Sequence, residues 1–167
     1  MSEEVPTLDP VARKAVLRQF TYGLYAVAAQ HDGERGIFTA NWLSQVSFDP
    51  PLVVVSVERA SSTLPLIEAS HQFAVAPLAA GQRELAGALG KPRVRAGDKY
   101  ETLDLDVRPT RSGILIPTAA LGYVVCEVRS ITDAGDSVLV LGEVVEAASF
   151  SEEVPLTMRD AGFRHAG

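Results

Sequence analysis

The chain has 167 residues, 47% of them hydrophobic and 22% charged, which are ordinary values for one soluble globular domain. Its formal net charge of −6 argues against a nucleic-acid-binding protein, because binding to phosphates needs positive charge. No apolar run approaches the roughly 18 residues of a membrane span, and the acidic N-terminus is not a secretory signal. We therefore expect a single cytoplasmic domain over residues 1–167, with residues 1–9 flexible and with no nucleic-acid or membrane partner.

The first third of the chain predicts one helix and three strands. Asp9-Pro10 is typical of a helix start, so a short amphipathic helix is expected over residues 10–21. The turn-rich pentapeptide HDGER separates two strands, 24–30 and 36–47, and predicts a β-hairpin. Two prolines at 50 and 51 end the second strand. The run LVVVSV (52–57) is apolar on both faces, which predicts a fully buried central strand.

The rest of the chain predicts further strands and two short helices. Ser61, Ser62 and Thr63 are natural N-caps for a helix through LPLIEAS. The other expected elements are a strand at 72–78, a helix at 82–90, an irregular polar segment at 91–112, a strand at 113–116 and a hairpin of strands 120–131 and 137–147. The tail, 151–167, is polar, with Phe163 as its expected anchor.

These elements have no regular alternation of strand, helix and strand. About seven strands with a few inserted helices favour a mainly β fold, a mostly antiparallel barrel with peripheral helices.

The cysteine and histidine content excludes two classes of site. A single cysteine, Cys126, excludes an intrachain disulfide, and its place in an apolar strand predicts a buried, inert thiol. Three scattered histidines and this cysteine have no metal-ligand spacing, so no metal is expected.

One stretch of this acidic chain is basic, with Lys91, Arg93, Arg95 and Lys99 inside GKPRVRAGDK. It has two interpretations, a solvated loop or a local site for an anion.

Residues 36–47 are unusual because hydroxyl and amide groups dominate one face of the predicted strand. One face carries Phe38, Ala40, Trp42, Ser44 and Val46, and the other carries Thr39, Asn41, Leu43, Gln45 and Ser47. The pattern suits an ordinary half-buried strand, or a strand whose Thr39, Asn41 and backbone amides line a ligand.

The segment 58–63 brings Arg59, three hydroxyls and a helix N-terminus together directly after the apolar strand. Free N–H groups and the positive end of a helix favour a phosphate, although simple helix capping explains the hydroxyls as well. A phosphate site beside a polar strand suits a planar heterocycle with a phosphorylated side chain.

Nearly the whole chain, from about Val16 onwards, resembles the flavin reductase-like family, the FMN-binding split barrels. The matching segments are Gly36, Thr39–Trp42, Ser44, Ser47, Asp49-Pro50-Pro51, LVVVSV, Ser61–Thr63, QFAVAPLAAGQRELA, Gly97–Tyr100, ALGYVVCEV and the hairpin turn before VLGEV. Their combined order carries the resemblance.

The resemblance implies a six-stranded Greek-key split barrel that forms homodimers, with FMN at or near the subunit interface. It places Thr39, Ala40, Asn41 and Trp42 at the flavin ring and ribityl chain. Ser44 and Ser47 would add hydroxyl contacts, while Arg59, Ser61, Ser62 and Thr63 would hold the phosphate and Lys99 would approach it. Chemistry would be centred on the cofactor, with no catalytic side chain.

The implied activity is that of an NAD(P)H:flavin reductase, which transfers a hydride from the nicotinamide to FMN or FAD. Such a protein could serve as the reductase of a two-component monooxygenase.

The sequence departs from the family at Ser137, because many members carry a histidine there that is associated with the nicotinamide. The alternative is therefore an FMN-binding electron carrier or sensor without NAD(P)H turnover. A third hypothesis is a heme site using His71 or His165. His165 also falls where the family often has an aromatic side chain near the flavin.

Overall fold

The structure, a computed structural model, describes residues 8–164. The strands are β1 (Tyr25–His31), β2 (Glu34–Ala40), β3 (Leu43–Ser47), β4 (Leu52–Glu58), β5 (Gln72–Pro77), β6 (Val107–Pro109), β7 (Leu115–Pro117), β8 (Gly122–Ala134) and β9 (Ser137–Ser149). The helices are α1 (Pro10–Leu17), α2 (Leu64–Ser70), α3 (Arg83–Leu89), α4 (Arg93–Ala96), α5 (Lys99–Thr102) and α6 (Met158–Ala161). The expectations for residues 1–7 and for His165 lie outside the described residues.

Seven strands form one antiparallel sheet in the order β2-β1-β5-β8-β9-β4-β3, and β6 pairs with β7 separately. The predicted mainly β, antiparallel fold is confirmed, with a seventh strand in the main sheet. No helix among residues 8–164 is long and apolar enough to cross a membrane.

The additional strand arises because the predicted strand 36–47 is two strands, and this expectation was wrong. β2 pairs with β1 at one edge of the sheet, and β3 pairs with β4 at the other. Asn41 and Trp42 lie between them, and Trp42 O accepts a hydrogen bond from Ser56 N of β4 at 2.9 Å. The chain thus crosses from one edge of the sheet to the other within two residues, which is where the barrel is split.

β1 and β5 are buried on both faces. The sequence instead predicted that β4 is the fully buried central strand. Successive residues of β5 enter different hydrophobic clusters, Ala74 and Ala76 the first, Phe73 and Val75 the second. In β4, the valines 53, 55 and 57 are buried while the residues between them are half-buried. The position of β4 next to the edge strand β3 leaves its second face only partly covered.

The structure confirms some of the predicted helix boundaries and contradicts others. The carboxylate of Asp9 accepts hydrogen bonds from Val11 N and Ala12 N, so the predicted cap is confirmed, although α1 ends at Leu17 and has no buried residue. The predicted irregular segment 91–112 instead contains the one-turn helices α4 and α5 and the strand β6. Phe163 packs against the first cluster, as expected for an anchor.

The hairpin of β8 and β9 is confirmed, and it holds the loop before β7 through one carboxylate. Glu146 of β9 accepts hydrogen bonds from Tyr123 Oη at 2.6 Å, from Ser112 Oγ at 2.5 Å and from Arg111 N. Burial alone would raise the pKa of Glu146, but these hydrogen bonds outweigh it and hold the pKa below its ordinary value.

Candidate functional site

The break between β2 and β3 places three of the predicted ring-binding residues together. Ala40 ends the ladder with β1, and Leu43 begins the ladder with β4. Ala40 is buried, Asn41 is half-buried and Trp42 is exposed. The backbone here changes from pairing with β1 to pairing with β4. Its main-chain groups can therefore face a ligand rather than a neighbouring strand.

The side chains of Thr39 and Asn41 contact helices of their own chain. Thr39 Oγ1 donates to Ala86 O of α3 at 2.6 Å. Asn41 Nδ2 lies 3.0 Å from the sulfur of Met158, at the start of α6. These contacts fix the end of β2 against two helices, so its backbone is held in one position.

Ser44 and Ser47 lie on the edge strand β3 and make local contacts. Ser44 is exposed, and its Oγ donates to Gln45 O at 2.9 Å. Ser47 is half-buried, and its carbonyl accepts from Gln45 Nε2 at 3.1 Å.

The N-terminus of α2 packs directly on the start of β2. Thr63 is the N-cap residue, but its side chain makes no capping hydrogen bond. Ser61 Oγ instead accepts from Thr63 N at 3.3 Å. A Cβ on Gly36 would lie 2.6 Å from Thr63 Oγ1, so only glycine allows this approach without a shift. The contact places the hydroxyl cluster 61–63 beside β2.

A recess lies at this junction, and it is rich in cationic groups. It is lined by Arg35, Gly36, Ile37, Ser62, Arg93 and Gly97–Tyr100. Arg35 pairs with Asp98 at 3.1 Å, and Arg93 lies 3.7 Å from Glu34. Three cations and one carboxylate line the recess, and Arg35 also pairs with Glu101 at 3.6 Å. Among residues 8–164, Lys99 is the lining cation that has no ion pair with a carboxylate, which favours a phosphate oxygen at its amine. Of the residues assigned to the phosphate from the sequence, Ser62 and Lys99 line this recess, whereas Arg59, Ser61 and Thr63 do not.

Lys99 is buried beneath the recess. Its Nζ donates to Ile37 O at 3.0 Å and to Leu89 O at 2.5 Å. Burial lowers the pKa of Lys99 to about 8, because the charged amine is partly removed from water.

The basic stretch is divided by the structure. Arg93 and Lys99 line the recess, whereas Lys91 and Arg95 are exposed and are not among its lining residues. Sequence reasoning missed Arg35, and its place directly before Gly36 was the available signal.

Arg59 contacts the β8–β9 turn. Its Nη2 lies 2.8 Å from Asp133 Oδ1, and its Nε donates to Gly135 O at 3.1 Å. Ser137 follows this turn as the first residue of β9; it is buried, and its Oγ donates to Asp136 Oδ1 at 3.2 Å.

The remaining reactive side chains behave as simple structural residues. Cys126 is buried, and burial raises the pKa of its thiol to about 12, which confirms the inert thiol. His71 is exposed at the C-terminal end of α2 in a left-handed conformation. Residues 8–164 contain no group of three or more potential metal ligands.

The family model described as "Flavin reductase like domain" matches residues 17–167. The chain belongs to the flavin reductase-like family. This confirms the resemblance carried by residues 36–63 and by the segments that follow.

Two curated relatives and one solved structure of this family are similar to the chain. The reductase subunit HsaB of a flavin-dependent monooxygenase from Mycobacterium tuberculosis is 31% identical over 137 residues, 82% of this chain and 71% of the relative. An NADH-dependent FAD reductase from Streptomyces globisporus is 29% identical over 164 residues, 98% of this chain and 89% of the relative. The structure of nitrilotriacetate monooxygenase component B from Mycobacterium thermoresistibile has a TM-score of 0.78 at 30% identity, covering 88% of this chain and 80% of that one.

Proposed function

We propose that the protein is an NAD(P)H:flavin reductase whose flavin, FMN or FAD, extends along β2. In this placement the ring lies at Ala40–Trp42 and the phosphate lies at the mouth of the recess beside Ser62 and Lys99. The recess itself has a volume of about 10 Å³, which is room for one phosphate oxygen. One observation carries this placement, since β2 joins the recess at Gly36 to the break after Ala40. Four residues of strand span about 13 Å, a length comparable to that of a flavin ring with its phosphorylated ribityl chain.

The donor set of the recess fits a phosphate group. Two of the three donors of the Lys99 amine bind carbonyl oxygens, which leaves one for a phosphate oxygen. The guanidinium groups of Arg35 and Arg93 add positive charge, and Ser62 adds a hydroxyl. When bound, the flavin supplies the redox chemistry by accepting a hydride, so the chain's own residues bind and orient it.

In this proposal, the phosphate is not contacted by Ser61, Thr63 or Arg59. These residues instead position neighbouring segments. Ser61 and Thr63 fix the start of α2 against Gly36. Arg59 holds the β8–β9 turn, next to the position at which other family members carry histidine. Ser44 and Ser47 would contact the ring from β3.

The names of relatives support an oxygenase as the acceptor of the reduced flavin, because HsaB is described as the reductase subunit of a monooxygenase. We also propose a homodimer with a second copy seated on the β3 edge. The exposed apolar side chains Trp42, Val46 and Phe48 support this surface. The predicted cytoplasmic location stays a prediction.

Ser137 favours a second candidate, an FMN-binding carrier without NAD(P)H turnover. Its side chain is buried and bonded to Asp136, so it offers the nicotinamide no imidazole.

A flavin titration followed by anaerobic reduction tests both candidates. The purified protein is titrated with FMN and FAD while the visible absorption band of bound flavin is followed, and NADH or NADPH is then added without oxygen. Rapid bleaching of the bound flavin is the expected result. Binding without bleaching would support the carrier, and no binding of either flavin would refute both.

The variant Lys99→Met tests the placement of the phosphate. Loss of one charged donor should weaken flavin binding by about 10-fold or more. Lys91→Met removes an exposed lysine of the same segment and should leave the affinity unchanged. Equal affinities for the two variants would place the phosphate elsewhere.

A further inference from the structure

The short helix α1 turns its apolar side away from the rest of the described chain. Four side chains share this side, because 3.6 residues make one turn of a helix. They form the apolar face of α1, which consists of Val11, Ala12, Ala15 and Val16. Val11 is 78% exposed and Val16 is 54% exposed, whereas the half-buried Leu17 lies on the opposite side of the helix. A helix normally buries its apolar side, so this face indicates a contact beyond residues 8–164 of the same chain.

Basic side chains flank the apolar face of α1 on both sides. Lys14 and Arg18 lie along one side of it, and Arg13 lies along the other. No aspartate or glutamate lies between Pro10 and Arg18, although the whole chain has a formal net charge of −6. None of the three cations belongs to an ion pair within residues 8–164. An apolar surface with carboxylates around it would therefore complement this helix.

The edge strand β3 carries a surface of this kind. Its exposed apolar side chains form the β3 patch, which consists of Trp42, Val46 and Phe48. The exposed Asp49 directly follows Phe48 at one end of the patch. At the other end, Ser56 N donates to Trp42 O, and the exposed Glu58 lies two residues beyond Ser56. Neither carboxylate belongs to an ion pair within the described part of the chain.

A second copy of the chain can bring these two surfaces together. In a two-fold dimer every contact occurs twice, so α1 of each copy can lie on the β3 patch of the other. Both apolar surfaces then lose contact with water, and the basic flanks of α1 approach the carboxylates at the ends of the patch. The pairing of unlike surfaces accounts for why both are exposed in a single chain.

We propose that α1 is an arm that packs its apolar face on the β3 patch of a second copy. The inference rests on the proposed homodimer and identifies the segment that each copy supplies to it. Trp42 belongs both to the patch and to the break between β2 and β3. The arm of the partner would therefore lie beside the proposed position of the flavin ring.

Cysteine cross-linking tests this contact directly, because the chain's own Cys126 is buried. Chains with Val16→Cys and chains with Val46→Cys carry different affinity tags, are expressed together and are purified through both tags. Treatment with a bismaleimide should then give a covalent dimer of the two chains. In the control, Val94→Cys replaces Val16→Cys; this valine is 92% exposed on α4, and no covalent dimer is expected.

The variant Val16→Asp tests the same contact without a cross-link. Its carboxylate would lie against an apolar patch with acidic neighbours, so the dissociation constant of the dimer should rise by about 10-fold or more. Valine and aspartate have similar helix propensities and Val16 is exposed, so the circular dichroism of the protein should not change. Sedimentation velocity over a dilution series measures the dissociation, and Val94→Asp should dissociate as the wild-type protein does.

Three results would overturn the inference. They are a monomeric wild-type protein, a cross-link with Val16→Cys no stronger than with Val94→Cys, and a dimer that Val16→Asp does not weaken. Failure of the proposed reductase function has a different signature. In that case no flavin binds, while the covalent dimer still forms and Val16→Asp still weakens association.

Discussion

A lysine buried among backbone carbonyls sets the residue-scale chemistry of the recess. Lys99 Nζ donates to the carbonyls of Ile37 and Leu89, which belong to β2 and α3. The amine therefore joins the strand of the proposed flavin site to the helix packed on it. A buried charge is costly unless it has partners, and carbonyl oxygens satisfy it incompletely.

This cost should be visible as a pH dependence of stability. Burial lowers the pKa of Lys99 to about 8 in the folded protein, whereas an unfolded lysine titrates near about 10.4. Between these values the unfolded state binds more protons, so the free energy of unfolding rises with pH. We expect a rise of about 1 kcal/mol from this group, after allowance for partial solvent screening.

Urea denaturation of the wild-type protein and Lys99→Met between about pH 8 and about pH 10 measures this term. The wild-type protein should gain stability relative to the variant as the pH rises, because Tyr100 and the other titrating groups are present in both. Parallel pH profiles would show that Lys99 titrates normally in the folded protein.

Single residues were predictable when their role depended on neighbours in the sequence. Asp9 caps α1 because an aspartate before a proline is a local signal. The inert thiol of Cys126 followed from its apolar strand. Burial of Lys99 was not predictable, because its carbonyl partner on β2 lies 62 positions away.

At the scale of elements, the break between β2 and β3 was the main error of sequence reasoning. Residues 36–47 alternate without a glycine or proline in the interior, so the pattern indicates one strand. The break results from strand pairing in the folded sheet, because β2 pairs with β1 near one edge while β3 pairs with β4 near the other. By contrast, the β8–β9 hairpin was predictable, because its turn residues lie between two strongly apolar runs.

The contact between β2 and α2 gives a prediction at this scale. In Gly36→Ala the new Cβ would lie 2.6 Å from Thr63 Oγ1, so strand and helix must move apart. We expect a loss of stability of about 1–3 kcal/mol, together with weaker flavin binding, because Ser62 moves with the helix. Chemical denaturation and flavin titration measure the two effects.

Two variants control this experiment. Gly81→Ala adds a Cβ with no atom within 4 Å and should change stability by less than about 0.5 kcal/mol. Thr63→Ala removes the clashing oxygen, so the double variant with Gly36→Ala should be less destabilised than the sum of the single changes. Additive effects in the double variant would mean that the clash is not the cause.

At the scale of the whole molecule, two cavities of the described chain combine segments that are far apart in the sequence. The recess joins residues 35–37 to 97–100, and a larger cleft between the end of α1 and the C-terminal segment joins residues 17–22 to 157–164. The resemblance supplied the flavin site, since its motifs lie along β2 and α2. The lining of this larger cleft could not be grouped from sequence, because the pairing of Gly23 with Thr157 joins segments more than 130 positions apart.

The exposed apolar edge of the barrel predicts how two molecules associate. Phe48 is 91% exposed directly after the edge strand β3, close in sequence to the exposed Trp42 and Val46. An apolar patch beside a sheet edge is typical of an interface.

Light scattering after gel filtration should give a mass twice the 17.8 kDa of one chain for the wild-type protein. Phe48→Asp should shift the protein towards a monomer, because a buried unpaired carboxylate opposes association. Val94→Asp alters a side chain that is 92% exposed on α4 and should remain dimeric. A monomeric wild-type protein would refute the dimer, and a dimeric Phe48→Asp protein would move the interface away from β3.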